Sequence, residues 1–204
     1  MAATDAEGHP LSYHQKILIA DGEAALIGGA NIAADYYQPG PAGDPWHDLM
    51  ARLTGPMVTP LAAYFDALFQ WVCSDKQSIR QLQLLLAAAS GSDGPISWRL
   101  GGPFERLNPF ARGLRADLDR AMQIDMVQAY FAPEFTFLRR LARVAQRGRL
   151  RLITAARSDN MTTVAAARHC YGRLLRGGAQ IYEYRPARLH MKLIIADNIV
   201  YIGS

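Results

Sequence analysis

Hydrophobic and polar residues in the first third of the chain follow a two-residue period and then a helical one. Residues 14–21 (HQKILIAD) alternate as in a β-strand, and the Asp-Gly pair at their end is typical of a hairpin turn, so AALIGG predicts the returning strand. Residues 46–56 (WHDLMARLTGP) predict another strand, and residues 57–72 have the period of an amphipathic helix. The apolar side of this helix carries Leu61, Tyr64, Phe65, Leu68 and Phe69.

The second half of the chain alternates between helix and strand patterns. Three segments have helical periodicity: 109–122, 134–147 and 160–176. Apolar segments typical of strands lie between and after them: IDMVQAYF from Ile124, LRLITA from Leu150, AQIYEY from Ala179 and a final hairpin up to Ser204. Strands that alternate with helices predict an α/β fold in which mixed sheets are flanked by helices.

Small and polar residues divide the chain. Residues 74–108 contain SGSDGP and LGGP, which are rich in residues that favour turns. We therefore predict a first unit over 1–73, a linker over 74–108 and a second unit over 109–204. The first unit starts at its own first strand with no βα segment before it, so we expect the chain to be a fragment that is inactive when made alone.

Composition and charge exclude several classes of protein but do not identify one function. Half of the residues are hydrophobic, and the formal net charge is +4, which permits phosphate esters, nucleic acid or an acidic lipid surface as partners. The longest apolar run, 84–89, is too short to span a bilayer, and the N-terminus does not resemble a signal peptide. Neither a zinc-ligand spacing nor a phosphate-binding Gly-Lys-Ser/Thr loop occurs in the sequence, so we expect no metal and no cofactor.

The two predicted hairpins carry the same polar residues at the same spacing. Each has His-x-Lys with an Asp five positions after the Lys: His14, Lys16 and Asp21 in the first, and His190, Lys192 and Asp197 in the second. Only three of the 22 basic residues are Lys, and random placement predicts about 0.07 His-x-Lys pairs in the whole chain. The repeat is therefore a signal of shared chemistry.

Two imidazoles and two ammonium groups around one point suit a phosphodiester. One His can attack phosphorus while the other protonates the leaving oxygen, and the two Lys can bind the non-bridging oxygens. Small residues after each strand offer further phosphate contacts: Gly29, Asn31 and Ser204.

The acidic residues near the motifs have other predicted roles. Asp21 and Asp197 lie an odd number of positions from their His, so an unbroken strand points them to the opposite face, where they can anchor a turn. Asp48 is predicted to hold Nδ1–H of His14 and fix its tautomer. The matching acid for His190 is expected beyond the end of the chain.

The duplicated His-x-Lys-x4-Asp motif, with Gly-Gly-x-Asn after the first copy and Gly-Ser after the second, resembles the phospholipase D superfamily. WHDLMARLTGP and LRGGAQIYEYRPARLHMKLIIADNIVYIGS are similar to bacterial cardiolipin synthases. The resemblance implies an α/β sandwich of two pseudo-twofold-related units and a metal-independent phosphatidyl transferase with a phosphohistidine intermediate. It implies that His14 is the nucleophile, that His190 is the acid and base, that Lys16 and Lys192 bind phosphate, and that both motif Asp belong to the catalytic set.

The expected substrate is phosphatidylglycerol at a membrane surface, on the cytoplasmic face of a bacterial inner membrane. Two phosphatidylglycerol molecules would give cardiolipin and glycerol. A phospholipase D-type nuclease is the rival enzyme, although such nucleases are typically single-motif chains that dimerise, and nucleic acid is not the expected partner. A non-catalytic fragment that binds anionic lipid is the third alternative.

Overall fold

A computed structural model describes residues 14–37, 45–75, 77–100 and 109–203. These ranges contain both strands and helices. The strands are β1 (Lys16–Ala20), β2 (Ala24–Gly28), β3 (Trp46–His47), β4 (Met50–Thr54), β5 (Gly91–Asp93), β6 (Ile96–Trp98), β7 (Gln123–Gln128), β8 (Arg149–Ala155), β9 (Gln180–Tyr184), β10 (Arg188–Leu189), β11 (Lys192–Ala196) and β12 (Ile199–Ile202). The helices are α1 (Ala34–Tyr37), α2 (Val58–Cys73), α3 (Ile79–Ala89), α4 (Pro109–Arg120), α5 (Phe135–Arg147) and α6 (Met161–Arg176).

The chain forms two compact units, and each unit consists of two separate stretches of sequence. The first unit comprises residues 1–26 and 52–114, and the second comprises residues 27–51 and 115–204. Compact units need not coincide with the limits of a sequence repeat, so the boundaries 1–73, 74–108 and 109–204 stay a prediction. The segment expected to be a linker contains α3 and the antiparallel β5–β6 hairpin.

A five-stranded mixed sheet forms the centre of the second unit, with the order β12-β11-β7-β8-β9. Strands β7, β8 and β9 are parallel, while β11 pairs antiparallel with both β7 and β12. The parallel strands need crossovers, which α5 and α6 provide. The α/β fold class with mixed sheets and helices is therefore confirmed.

Alternation along these strands explains the core of the second unit. Ile124 and Met126 on β7 and Leu150 and Leu152 on β8 are buried, whereas the residues between them face outward. Helix α5 buries its own apolar side against them: Leu138, Leu141, Val144 and Ala145. Helix α6 begins where the Asn160 side chain accepts hydrogen bonds from the backbone N–H of Thr162 and Thr163, which is a standard N-cap.

Helix α2 begins within one residue of its predicted start, but its buried face is narrower than predicted. Leu61, Tyr64 and Trp71 are buried, and the Tyr64 hydroxyl donates to Gln15 Oε1 at 2.7 Å. Phe65 and Phe69, which were expected on the buried side, are 49% and 61% exposed and stack on each other. The inward-facing positions of the helix follow Leu61 at intervals of three, seven and ten residues, and Phe65 and Phe69 each lie one position later. The prediction that these two rings lie on the buried side is therefore wrong.

The predicted strand 46–56 is interrupted. It forms β3 and β4, with Asp48 and Leu49 between them in non-strand conformation. Strand β3 pairs with β10 in a separate two-stranded sheet, whereas β4 belongs to a three-stranded sheet of order β1-β2-β4. The candidate active site lies at this interruption.

Candidate active site

The pairing of β3 with β10 places the second motif His beside Asp48. The two strands are parallel, with Arg188 opposite Trp46 and Leu189 opposite His47. The His190 N–H continues this register, because it donates to the carbonyl oxygen of His47 at 2.9 Å. The next residues on each chain segment, Asp48 and His190, therefore become neighbours although 142 residues separate them.

The Asp48 carboxylate holds the His190 ring. Oδ2 lies 2.7 Å from His190 Nδ1, and the two side chains are only 3% and 13% exposed. The other oxygen, Oδ1, accepts the Leu49 N–H at 2.8 Å, which fixes the carboxylate. A carboxylate beside Nδ1 favours the tautomer with its proton on Nδ1, leaving the lone pair on Nε2. It also stabilises the imidazolium form when Nε2 takes a proton.

This geometry corrects two sequence-based expectations. Asp48 was predicted to orient His14, but the structure gives its carboxylate to His190. The acid for His190 was expected beyond the end of the chain, but it lies within the described residues. A parallel pairing of two-residue strands from distant parts of the sequence leaves no local pattern that could have revealed it.

Gly29 makes room for the orienting carboxylate. A Cβ at Gly29 would lie 2.7 Å from Asp48 Oδ2 and closer still to Oδ1. The Gly29 N–H donates to the carbonyl oxygen of Leu49 at 3.2 Å. Gly29 was predicted to bind substrate phosphate, which stays a prediction; the structure shows that its lack of a side chain lets Asp48 approach.

Lys192, whose predicted role in phosphate binding stays a prediction, lies against the His190 ring. Its Nζ is 2.7 Å from the carbonyl oxygen of His190, 3.0 Å from Nδ1 and 2.9 Å from Nε2. The same ammonium group lies 5.5 Å from the ring centroid of Tyr130, within the range of a cation–π interaction. An ammonium beside Nε2 is suitably placed to bind an oxygen of a phosphate that reaches this nitrogen.

Three half-buried aromatic rings surround His190 and were not predicted as site residues. Trp46, Tyr36 and Tyr130 have ring centroids 5.5, 5.9 and 5.7 Å from the imidazole centroid, and all three present edge-to-face geometry. Such contacts hold a ring in place while leaving its polar edge accessible. Trp46 lies two positions before Asp48, but nothing in the sequence indicated that Tyr36 and Tyr130 approach the same imidazole.

The two tyrosine hydroxyls remain protonated near neutral pH. Burial, followed by the charge of Asp48, raises the pKa of Tyr36 to about 12. Burial, followed by the hydrogen bond with Asp159, raises the pKa of Tyr130 to about 12. Asn31, predicted to bind phosphate, donates from Nδ2 to the Tyr36 hydroxyl at 3.3 Å. Its predicted role stays a prediction, while its position brings an amide to the ring that borders His190.

Asp197 anchors the second motif hairpin. Its carboxylate accepts hydrogen bonds from the backbone N–H of Met122, at 3.1 and 3.2 Å, and of Gln123, at 2.8 Å. Its own N–H donates to the Gln123 carbonyl oxygen at 2.9 Å. These contacts join the turn after β11 to the start of β7, as the odd spacing from His190 indicated.

The first motif has the same local geometry in the other unit. Lys16 Nζ donates to the carbonyl oxygen of His14 at 2.6 Å, as Lys192 does to that of His190. Asp21 has φ 55° and Asp197 has φ 51°, so both turns use a left-handed aspartate. The sequence repeat is thus a structural repeat, and the convergence of both motifs on one phosphate stays a prediction. The predicted phosphate ligand Ser204 lies outside the described residues.

Among residues 14–37, 45–75, 77–100 and 109–203, no group of three or more His, Cys, Asp or Glu is arranged to hold a metal ion. In the same ranges, no helix combines the length and apolarity needed to cross a bilayer.

Comparison with known proteins agrees with this description. Residues 114–204 match the family described as "Cardiolipin synthase, PLD-like domain". The chain is 28% identical over 198 residues to cardiolipin synthase A of Pseudomonas fluorescens (strain SBW25), covering 94% of this chain and 40% of that protein. It is 29% identical over 203 residues to the cardiolipin synthase of Halalkalibacterium halodurans, covering 96% of this chain and 40% of that protein.

The chain thus spans about 40% of the length of these curated relatives. The resemblance to the phospholipase D superfamily, and within it to cardiolipin synthases, is confirmed.

Proposed function

We propose that this phospholipase D-like chain provides the catalytic residues of a phosphatidyl transferase of the cardiolipin synthase type. The reaction would join two phosphatidylglycerol molecules into cardiolipin and release glycerol. The observation that carries the proposal is the Asp48–His190–Lys192 cluster, in which a buried carboxylate holds an imidazole whose Nε2 lies beside an ammonium group.

In the first half-reaction, His14 attacks the phosphorus of a phosphatidylglycerol. The bond from phosphorus to the glycerol oxygen breaks, and His190 delivers the proton of its Nε2 to that oxygen, so that glycerol leaves. The Asp48 carboxylate stabilises the imidazolium before this transfer and the Nδ1–H tautomer after it. Lys16 and Lys192 donate to the non-bridging oxygens, where negative charge increases in the transition state.

In the second half-reaction, a terminal hydroxyl of another phosphatidylglycerol attacks the phosphohistidine. His190 Nε2 accepts the hydroxyl proton, the bond from phosphorus to His14 breaks, and cardiolipin forms. Both imidazoles return to their starting protonation, so the cycle balances. The rings of Trp46, Tyr36 and Tyr130 hold the His190 imidazole in place through edge-to-face contacts during both half-reactions.

Matched substitutions test the roles of the two motif histidines. His14→Asn and His190→Asn should each lower phosphatidyl transfer by several powers of ten, because each removes a whole catalytic step. His169→Asn, at an exposed position on α6, is the control and should keep wild-type turnover. Near-wild-type transfer in either motif variant would rule out the two-histidine mechanism.

Trapping the intermediate tests which histidine is the nucleophile. After rapid acid quenching of enzyme that is turning over phosphatidylglycerol, mass spectrometry should find the phosphatidyl group on His14. A covalent adduct on His190 would reverse the two assigned roles while leaving the reaction type in place.

The substrate class and metal independence need separate assays. We propose that the enzyme works on phosphatidylglycerol at a membrane surface, on the cytoplasmic side. With phosphatidylglycerol vesicles and single-stranded DNA offered separately, product should come from the lipid alone and persist in the presence of a chelator. Cleavage of DNA without any lipid product would assign the chain to the nuclease class, and activity restored only by a divalent ion would contradict the proposed metal-free mechanism.

A further inference from the structure

A cleft of about 390 Å³ lies in the second unit, outside the His190 cluster. Its lining consists of Ala156, Arg157, Arg168, Glu183 and Arg185. It is formed where the parallel strands β8 and β9 end, since Ala156 N–H closes their pairing by donating to the carbonyl oxygen of Tyr184 at 3.0 Å. The chain leaves both strands there in loops that contain Arg157 and Arg185.

The charge of this cleft is positive. Arg168 donates two hydrogen bonds to Glu183, at 2.8 and 2.9 Å. These hydrogen bonds hold the pKa of Glu183 below its usual range, and the charge of Arg185 acts in the same direction, so Glu183 is ionised at neutral pH. With Arg157 and Arg185, the described lining residues comprise three guanidinium groups and one carboxylate, a composition that favours an anion in the cleft.

Both arginine loops also lead to the His190 cluster. Arg185 follows Tyr184, whose hydroxyl lies 2.7 Å from Nδ1 of His47, the residue whose carbonyl oxygen accepts the His190 N–H. Arg157 precedes Asp159 by two residues, and Asp159 accepts the hydroxyl of Tyr130, one of the rings around the imidazole. The loops are tied together by a hydrogen bond from Arg157 to the carbonyl oxygen of Arg185 at 2.9 Å.

We propose that this arginine cleft binds the phosphate of the acceptor phospholipid. The inference rests on the proposed transferase function, because only a transferase needs a second phosphate held beside the reacting one. Planar guanidinium groups match the oxygens of a phosphodiester, which carries one negative charge and accepts paired hydrogen bonds. Binding there would hold a phosphate on the two loops that connect to the His190 cluster, and the cleft would thus favour an anionic lipid over water or a neutral alcohol.

Vesicle binding tests the cleft without requiring turnover. Arg185→Gln should weaken binding to vesicles of phosphatidylglycerol in phosphatidylcholine about tenfold, because a charge-assisted contact to phosphate is lost. Arg185→Lys should restore part of the loss. Glu183→Gln should strengthen binding about threefold, because it removes the negative charge of the carboxylate among the described lining residues. The circular dichroism spectrum and unfolding midpoint of each variant verify that it is folded.

The matched control for charge is Arg143→Gln, at an exposed position on α5 that removes the same positive charge away from the cleft. If Arg143→Gln weakens vesicle binding as much as Arg185→Gln does, the effect is general electrostatic attraction and the cleft proposal is wrong. A Glu183→Gln variant with unchanged or weaker binding also contradicts it. Inorganic phosphate is tested alone: if Arg185→Gln weakens phosphate binding but not vesicle binding, the cleft is a free-phosphate site.

A product ratio separates this proposal from the proposed function. In the transfer assay, water as acceptor gives phosphatidic acid, whereas phosphatidylglycerol as acceptor gives cardiolipin. Arg185→Gln should lower the ratio of cardiolipin to phosphatidic acid about tenfold, and Arg143→Gln should leave it unchanged. An unchanged ratio in Arg185→Gln overturns the acceptor assignment while the transferase stands. If an enzyme that contains this chain forms neither product, the proposed function fails, and the vesicle comparison alone decides whether the cleft binds lipid phosphate.

Discussion

Replacing Asp48 by Asn tests the central contact of the site while changing almost no volume. The carboxylate lies 2.7 Å from His190 Nδ1, and its side chain is only 3% exposed, so water cannot take its place. The amide oxygen of Asn can still accept the Leu49 N–H, but its NH₂ group then faces Nδ1 and favours the tautomer with the proton on Nε2. The variant therefore loses both the charge that stabilises imidazolium and the correct tautomer.

The magnitude follows from the type of hydrogen bond. A hydrogen bond to a charged group contributes about 1.5–3 kcal/mol, and burial of this pair favours the upper half of that range. If His190 accepts and donates a proton in the rate-limiting step, the loss corresponds to a decrease in kcat of about 40- to 150-fold. KM for phosphatidylglycerol should change little, because Asp48 contacts the imidazole and is proposed to make no substrate contact.

The assay is phosphatidyl transfer from phosphatidylglycerol vesicles, with kcat and KM measured separately. Asp66→Asn, an identical change at an exposed position on α2, is the control and should leave both constants at their wild-type values. A folded Asp48→Asn variant whose kcat stays within about threefold of wild type would refute the inference that this carboxylate supports proton transfer at His190.

Three further predictions concern the surroundings of this pair. Gly29→Ala should lower kcat to a similar extent, because the added Cβ displaces the Asp48 carboxylate. Gly91→Ala is the control and should keep wild-type kcat, since nothing lies within 4 Å of its Cβ. Equal activities of the two variants would contradict the close approach of Asp48 to Gly29. Asp197→Ala should lower the free energy of unfolding by about 1–3 kcal/mol in urea titration, because the backbone N–H groups of Met122 and Gln123 lose their acceptor. Asp197→Asn should lower this free energy by a smaller amount. An unchanged free energy in both variants would contradict the role of Asp197 as the anchor of the hairpin. Folding raises the pKa of Tyr36 from its usual 10 to about 12, so its contribution to stability is present below pH 10 and is lost as pH rises to 12. The decline of the urea midpoint over this window should be shallower in Tyr36→Phe than in Tyr37→Phe, and identical declines would argue against a buried hydroxyl.

The residues proposed to react could be identified from the sequence because they lie in short, repeated, local patterns. Lys192 is the first residue of β11 and His190 lies two positions before it, and the Lys192 ammonium group contacts the His190 ring. Similarly, the odd spacing of Asp197 predicted a turn anchor, and the structure places its carboxylate on backbone N–H groups. Alternation and helical period also predicted the order of strands and helices in the second unit, since these follow from which side of each element is apolar.

The partners of those residues depend on tertiary structure. Asp48 lies between two short strands, and only the parallel pairing of β3 with β10 brings it to His190 rather than to the histidine assigned from sequence. Tyr36 and Tyr130 reach the same imidazole from different elements, and neither has a sequence pattern that distinguishes it from a core tyrosine. Periodicity reports the environment of a residue within its own element, whereas the register between distant strands is set by the packing of the whole unit. The sequence therefore indicated the groups proposed to react, and the fold decided which side chains contact them.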